Sequence, residues 1–153
     1  MQKDLFLSNK RVFTTGYEGK DIDEFLKHLL RHNIKRIVDV REIPLSRKKG
    51  FSKSILRQKL AERDIDYVHI RTLGSPRHLR KKVYKDKDFD YFFKKYESHL
   101  EKCDRELEEL YELVTKELSC LLCFENSPSN CHRSSVANRV SRINGEALQV
   151  KHI

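Results

Sequence analysis

Short apolar runs alternate with amphipathic stretches along the whole chain, and this alternation restricts the fold more than any other feature. Arg11-Val12-Phe13-Thr14-Thr15 reads as a strand, followed by a turn at Gly16-Tyr17-Glu18-Gly19. Asp21, with Glu24 three residues on, opens a helix whose apolar positions are Ile22, Phe25, Leu26, Leu29 and Leu30, ending near Asn33. Ile34 to Val40 is apolar almost throughout, as in strands buried on both faces. A loop with Pro44 and Gly50 leads to Ser52 or Ser54, either of which can cap a helix carrying Ile55, Leu56, Leu60 and Ala61.

A third strand spans Ile65 to Ile70 and stops at Leu73-Gly74-Ser75-Pro76. From Phe89 to Val114 an apolar stripe recurs by threes and fours, predicting one long helix or two with a break near Lys102; Cys103 lies in this stripe and reads as core. Leu118 to Phe124 is a fourth strand, His132 to Asn144 a helix ended by Gly145, and Ala147 to Ile153 a last strand. The order predicts one α/β domain over residues 1–153. Its expected form is a mostly parallel five-stranded sheet with helices on both faces, a Rossmann-like three-layer sandwich, with a mixed edge allowed at the last strand.

Charge is concentrated. The net charge is +9, yet residues 41–59 and 71–87 each hold seven Lys or Arg and one acid. Those two segments carry +6 each, which leaves −3 for the rest of the chain. Such clustering points to a partner with phosphate or carboxylate groups, either a phosphate-bearing small molecule or a nucleic acid. No apolar run approaches bilayer length, and MQKDLFLSNK lacks the pattern of a secretory leader. The expected compartment is therefore cytoplasmic, with no membrane partner. The four cysteines are then expected as thiols, metal ligands or catalytic groups instead of a disulfide frame.

Parallel sheets bind ligands at the C-terminal ends of their strands. After the first strand come Gly16, Tyr17 and Glu18; after the second, Asp39 and Arg41; after the third, Arg77; after the fourth, Cys123, Glu125, Cys131, His132, Arg133 and Ser134. Both basic segments fall on the same edge. Cys131 would lie beside a helix N-terminus, His132 and Arg133, a setting that favours the thiolate and makes it a candidate nucleophile. The phosphatase spacing of Cys, five residues and Arg is not met, because positions 129 and 137 are Ser and Ala. Gly16, Tyr17, Glu18, Arg41, Arg77, His132, Arg133 and Ser134 are candidate anion-binding residues; Cys123, Cys131, Glu125 and Asp39 are candidate catalytic residues. For Asp39, deep in an apolar run, a salt bridge to Arg41 or another Arg is the preferred reading. Cys123, Cys131 and His132 are also a possible ligand set for a metal. Cys120 is not, because residues three apart on a strand point to opposite faces.

These motifs together resemble the DUF488 family. The resemblance is carried by Thr15-Gly16-Tyr17-Glu18-Gly19, Val38-Asp39-Val40-Arg41 with Pro44 and Ser46, and Gly50-Phe51-Ser52. It continues in Leu73-Gly74 with Pro76 and Arg77, and in Leu122-Cys123 with Glu125, Pro128 and Cys131-His132-Arg133. It runs from about residue 11 to the end and departs at Thr15, where the family usually has an apolar residue. It implies an α/β fold with a cysteine-containing motif near the C-terminus. It implies no reaction, since the family is named for an unknown function.

Three functions fit. The first is an enzyme acting on a phosphate-bearing substrate through Cys131 or Cys123, with Glu125 as acid or base. The second is a nucleic-acid-binding module that stacks bases on Tyr17 and Phe51. The third is a metal-dependent protein using Cys123, Cys131 and His132. No particular cofactor is indicated.

Overall fold

The computed structural model describes residues 10–145 and 148–153. The leader reading of residues 1–9, and Ala147 at the start of the expected last strand, lie outside the described residues. The described residues form five strands: β1 (Arg11–Gly16), β2 (Arg36–Asp39), β3 (Asp66–His69), β4 (Ser119–Cys123) and β5 (Gln149–His152). All pair in parallel, in the order β3-β2-β4-β1-β5. The mixed edge allowed for the last strand is not formed: β5 pairs parallel to β1.

Helices α1 (Ile22–Arg31) and α2 (Lys53–Ala61) connect the first three strands. Helices α3 (Arg77–Asp86), α4 (Phe89–Leu100) and α5 (Asp104–Lys116) lie between β3 and β4, and α6 (Arg133–Val140) between β4 and β5. Asp21 caps α1 as expected, its side chain accepting from Glu24 N at 2.8 Å. Ser52 precedes α2 but does not cap it; its Oγ accepts from Ser46 N at 3.0 Å and so braces the basic loop. The long apolar stripe divides at residues 101–103, with buried Cys103 just before α5. Helix α3 has no counterpart in the sequence reading, because only Leu79 and Val83 mark an apolar face in a segment otherwise crowded with cations.

Alternation along the strands divides the core in two. Val12, Val38 and Leu121 face α3–α6 together with Tyr96, Leu110 and Val136. Phe13, Ile37, Cys120 and Leu122 face α1 and α2 together with Phe25, Leu29 and Leu56. The layering follows from connection handedness. Crossovers between parallel strands share one hand. From β1 to β3 the chain moves toward one edge of the sheet and lays α1 and α2 on one face. It then reverses toward β5, which sends α3–α6 to the other face. β4 fills the gap between β1 and β2, where the direction changes, and the crevice above such a point is where open α/β sheets take ligands.

Gly16 ends β1 against the backbone that leaves β4. A Cβ on it would lie 1.8 Å from the Glu125 carbonyl oxygen. That backbone cannot retreat freely, because Glu18 N donates to Phe124 O at 2.9 Å. Gly16→Ala is expected to destabilise the protein by about 3 kcal/mol through forced overpacking. Urea unfolding followed by circular dichroism checks this, and an unchanged midpoint would refute it.

Candidate functional site

The end of β4 and the start of α6 lie ten residues apart, and the loop between them folds back through a 3₁₀ turn at Pro128–Asn130. The fold-back brings Cys131 beside Cys123, and the two are joined as a disulfide. This corrects the expectation that no cysteine is paired. The sulfurs meet because the turn places the residue before His132 directly over the strand end. Cys103 and Cys120 are free and buried, and burial pushes the Cys120 thiol up, as befits a core residue.

His132 belongs to the same cluster. Its Nε2 lies 2.6 Å from Val40 O, a contact that requires a proton on Nε2. Nδ1 is then the bare nitrogen, and it lies 3.8 Å from Cys131 Sγ. The ligating atoms of Cys123, Cys131 and His132 all fall within 4.8 Å of one another. Burial pushes the imidazole down to about 4, only partly opposed by the bond to Val40. Glu125 lies on the other side of Cys123, with Oε2 3.4 Å from Sγ. Burial raises its carboxyl, against the partial offset of its own backbone N–H and Arg133.

The two buried arginines are held very differently. Arg41 Nε and Nη2 grip Asp39 at 2.8 and 2.6 Å, while Nη1 donates to Phe51 O and the Tyr17 hydroxyl. Tyr67 donates to Asp39 Oδ2 at 2.5 Å. Burial opposes the Arg41 charge, but the Asp39 carboxylate outweighs it and holds the guanidinium up. This is the salt bridge preferred for Asp39 from its apolar surroundings, and it occupies the faces of Arg41 that an anion would use. Glu18 is set apart from Asp39 because β4 lies between β1 and β2; its Oε1 accepts from Asn126 N at 3.0 Å.

Arg133 is fully buried. It donates to Thr14 Oγ1 at 3.1 Å, to Cys123 Sγ at 3.2 Å, to Asn126 O at 3.0 Å and to Glu125 O. None of these acceptors is a carboxylate. Ser134 Oγ donates to Cys131 O, and Arg133 N to Cys131 Sγ, so the first turn of α6 is engaged with its own loop.

Above the cluster lies a cleft in two connected parts. One, of about 310 Å³, is lined by Cys123, Glu125, His132, Glu42, Arg47 and Arg80. The other, of about 600 Å³, shares Glu125, His132, Arg80 and Phe124 and extends to Lys81 and Tyr84. Arg80, not the exposed Arg77, lines both parts of the cleft from α3; its Nη1 lies 3.0 Å from Glu42 Oε1. Neither Arg80 nor Glu42 was singled out in the sequence. The signal for Arg80 was the i, i+4 pair Leu79 and Val83, which sets the helical phase. Gly16 serves by letting the Glu125 backbone approach. Tyr17 and Phe51 are buried and stacked on each other at 4.3 Å, so neither ring is presented to a base.

The His132 environment fixes a pH dependence. A histidine lowered from 6.5 to about 4 stabilises the fold fully above its unfolded pKa, and that stability is lost as pH falls from about 6.5 toward about 4. The loss amounts to about 3 kcal/mol at 1.36 kcal/mol per unit. Unfolding free energies at pH 7 and pH 4 should therefore differ more for the wild type than for His132→Gln, by about that amount. Equal slopes would count against a neutral buried imidazole.

No helix among the described residues is long and apolar enough to cross a membrane. No curated protein and no solved structure matches the chain. A family model described as a domain of unknown function, DUF488, matches residues 21–140. That span runs from the α1 cap through α6 and holds the Cys-Glu-Cys-His-Arg cluster. The chain belongs to the DUF488 family.

Proposed function

We propose that this protein is an enzyme acting on a phosphate-bearing substrate in the cleft, with Cys123 as nucleophile and Glu125 as general acid. The observation that carries the reading is the pairing of Cys123 Sγ with Glu125 Oε2 at 3.4 Å, on a cleft wall that also presents Arg47 and Arg80. Cys123 lines the cleft, which makes it the attacking sulfur and Cys131 its disulfide partner. The reaction requires the reduced pair. A dithiol reductant supplies two electrons, becomes a disulfide itself and returns both sulfurs as thiols. Arg133 Nη1, 3.2 Å from Sγ, is the positive charge with which a Cys123 thiolate pairs. Sγ bonds to the electrophilic centre as the leaving group departs with the Glu125 proton. Water then breaks the bond to sulfur, giving one proton back to Glu125. The carboxyl raised by burial is suited to the acid role.

A general acid must be protonated, so the rate should fall as pH rises through the raised Glu125 pKa, and Glu125→Gln should remove that limb and slow turnover by about 10²-fold or more. Cys123→Ser should abolish turnover. A panel of phosphomonoesters, mononucleotides and short oligonucleotides, assayed on reduced protein, tests this. Variants as active as the wild type on every substrate turned over would overturn it.

A second reading is favoured by one detail, the bare Nδ1 of His132 lying 3.8 Å from Cys131 Sγ in a cluster whose ligating atoms all fall within 4.8 Å of one another. In the reduced protein Cys123, Cys131 and His132 would hold a zinc ion, with Glu125 near enough to complete the set. Phosphine-reduced, untagged protein dialysed against zinc should then retain one equivalent, and His132→Gln should lose it. Retention below one-tenth of an equivalent would sink this reading.

A further inference from the structure

The wider part of the cleft differs from the sulfur cluster in composition. It is walled by α3 on one side and by the loop after β4 on the other. Two aromatic side chains lining it are unusually open, Tyr84 at 81% and Phe124 at 45% exposure. Large aromatics so exposed contribute little to folding, and their apolar faces are available to a flat partner. Cations accompany them. Lys87 Nζ lies 4.7 Å from the Tyr84 ring centroid, and Lys81 and Arg80 line the same cavity. Tyr91, the other open ring of this region, already has Lys82 and Lys95 against it at 4.1 and 5.6 Å.

The charge continues beyond the cavity. Helix α3 carries five Lys or Arg and two acid-free turns before Asp86, which is itself paired with Lys82. In the adjoining part of the cleft the basic segment 41–59 contributes Arg47. Rings beside cations, with positive charge running past both ends of the cavity, match a strand of alternating bases and phosphates better than a single small anion. A duplex would keep its bases stacked inside and leave both rings unused.

We propose that this cavity binds single-stranded nucleic acid. A base lies against Tyr84 and Phe124, its flanking phosphates rest on Arg80, Lys81 and Lys87, and the strand continues toward Arg47. This names the substrate class of the cleft and rests on its reading as a site for phosphate-bearing substrates. The cavity volume of about 600 Å³ accommodates one nucleotide unit.

The test is fluorescence anisotropy with a labelled ten-residue oligothymidylate on the wild type, Tyr84→Ala, Phe124→Ala and the Lys81→Ala/Lys87→Ala double variant. All four substituted residues are exposed, and thermal unfolding confirms that each variant folds. Affinity should fall about 50-fold between 50 and 200 mM salt, as four phosphate contacts on a single strand require. Each aromatic variant should lose about 10-fold. No binding, binding unmoved by either aromatic substitution, equal affinity for a duplex, or full competition by an equal concentration of thymidine monophosphate would each overturn the proposal. Binding needs no chemistry at Cys123. Turnover of a phosphomonoester without oligonucleotide binding would therefore sink this inference alone, while oligonucleotide binding without turnover would sink only the enzymatic reading.

Discussion

A guanidinium sealed from water must find a partner for each of its N–H groups, and the arrangement of this site follows from how Arg133 does so. Leaving such a cation unpaired would cost several kcal/mol. Its donors reach Thr14 on β1 and the carbonyls of Glu125 and Asn126, so α6, β1 and the loop after β4 are bound to one point. The loop can return only by passing over the end of β1, and there a side chain on residue 16 would collide with it. The same return places Glu125 and Cys123 side by side at the cleft wall. Arginine anchor, glycine and cysteine–glutamate pair are thus one solution to one packing problem.

Arg41 illustrates the alternative. Its charge is neutralised within the fold by a carboxylate that grips it at two points, so it contributes rigidity to the β2 end but little net field. Arg133 has neutral acceptors and a sulfur instead. Its charge persists beneath the cleft floor, where a low dielectric lengthens its reach. Two arginines, one two residues past a buried strand end and the other one residue past a histidine, look equivalent in a sequence; the presence of a carboxylate within reach decides which one acts on the cleft.

Much of the architecture was legible because periodicity is a local property. The strands, the Asp21 cap, the break before α5 and the role of Cys120 all follow from residue spacing within a few turns of chain. Helix α3 was not legible, since its inward face consists of buried Leu79 and partly buried Val83. The site was half legible. Cys123, Glu125, Cys131 and His132 stood out by residue type and do converge. Arg77 was named where Arg80 faces the cleft, because one helical position separates solvent from cavity and the charged segment hides its phase. Tyr17 and Phe51 were read as open rings, yet they stack on each other beneath the basic loop. The disulfide was missed because pairing depends on a turn that sequence separation alone does not reveal.

The position of β4 also bears on synthesis. It is the central strand of the sheet but the fourth to leave the ribosome, and both its neighbours are made long before it. Until residues 119–123 emerge, β1 and β2 each lack their shared partner and present an unpaired, apolar edge. The nascent chain must carry that exposed gap through the translation of some eighty further residues, counting from the end of β2. Closing it joins segments far apart in sequence, a slow kind of contact to form. The step that joins the two sides of the sheet is also the one that brings in the cysteine motif, so an incompletely synthesised chain is left both sticky at its centre and without its site.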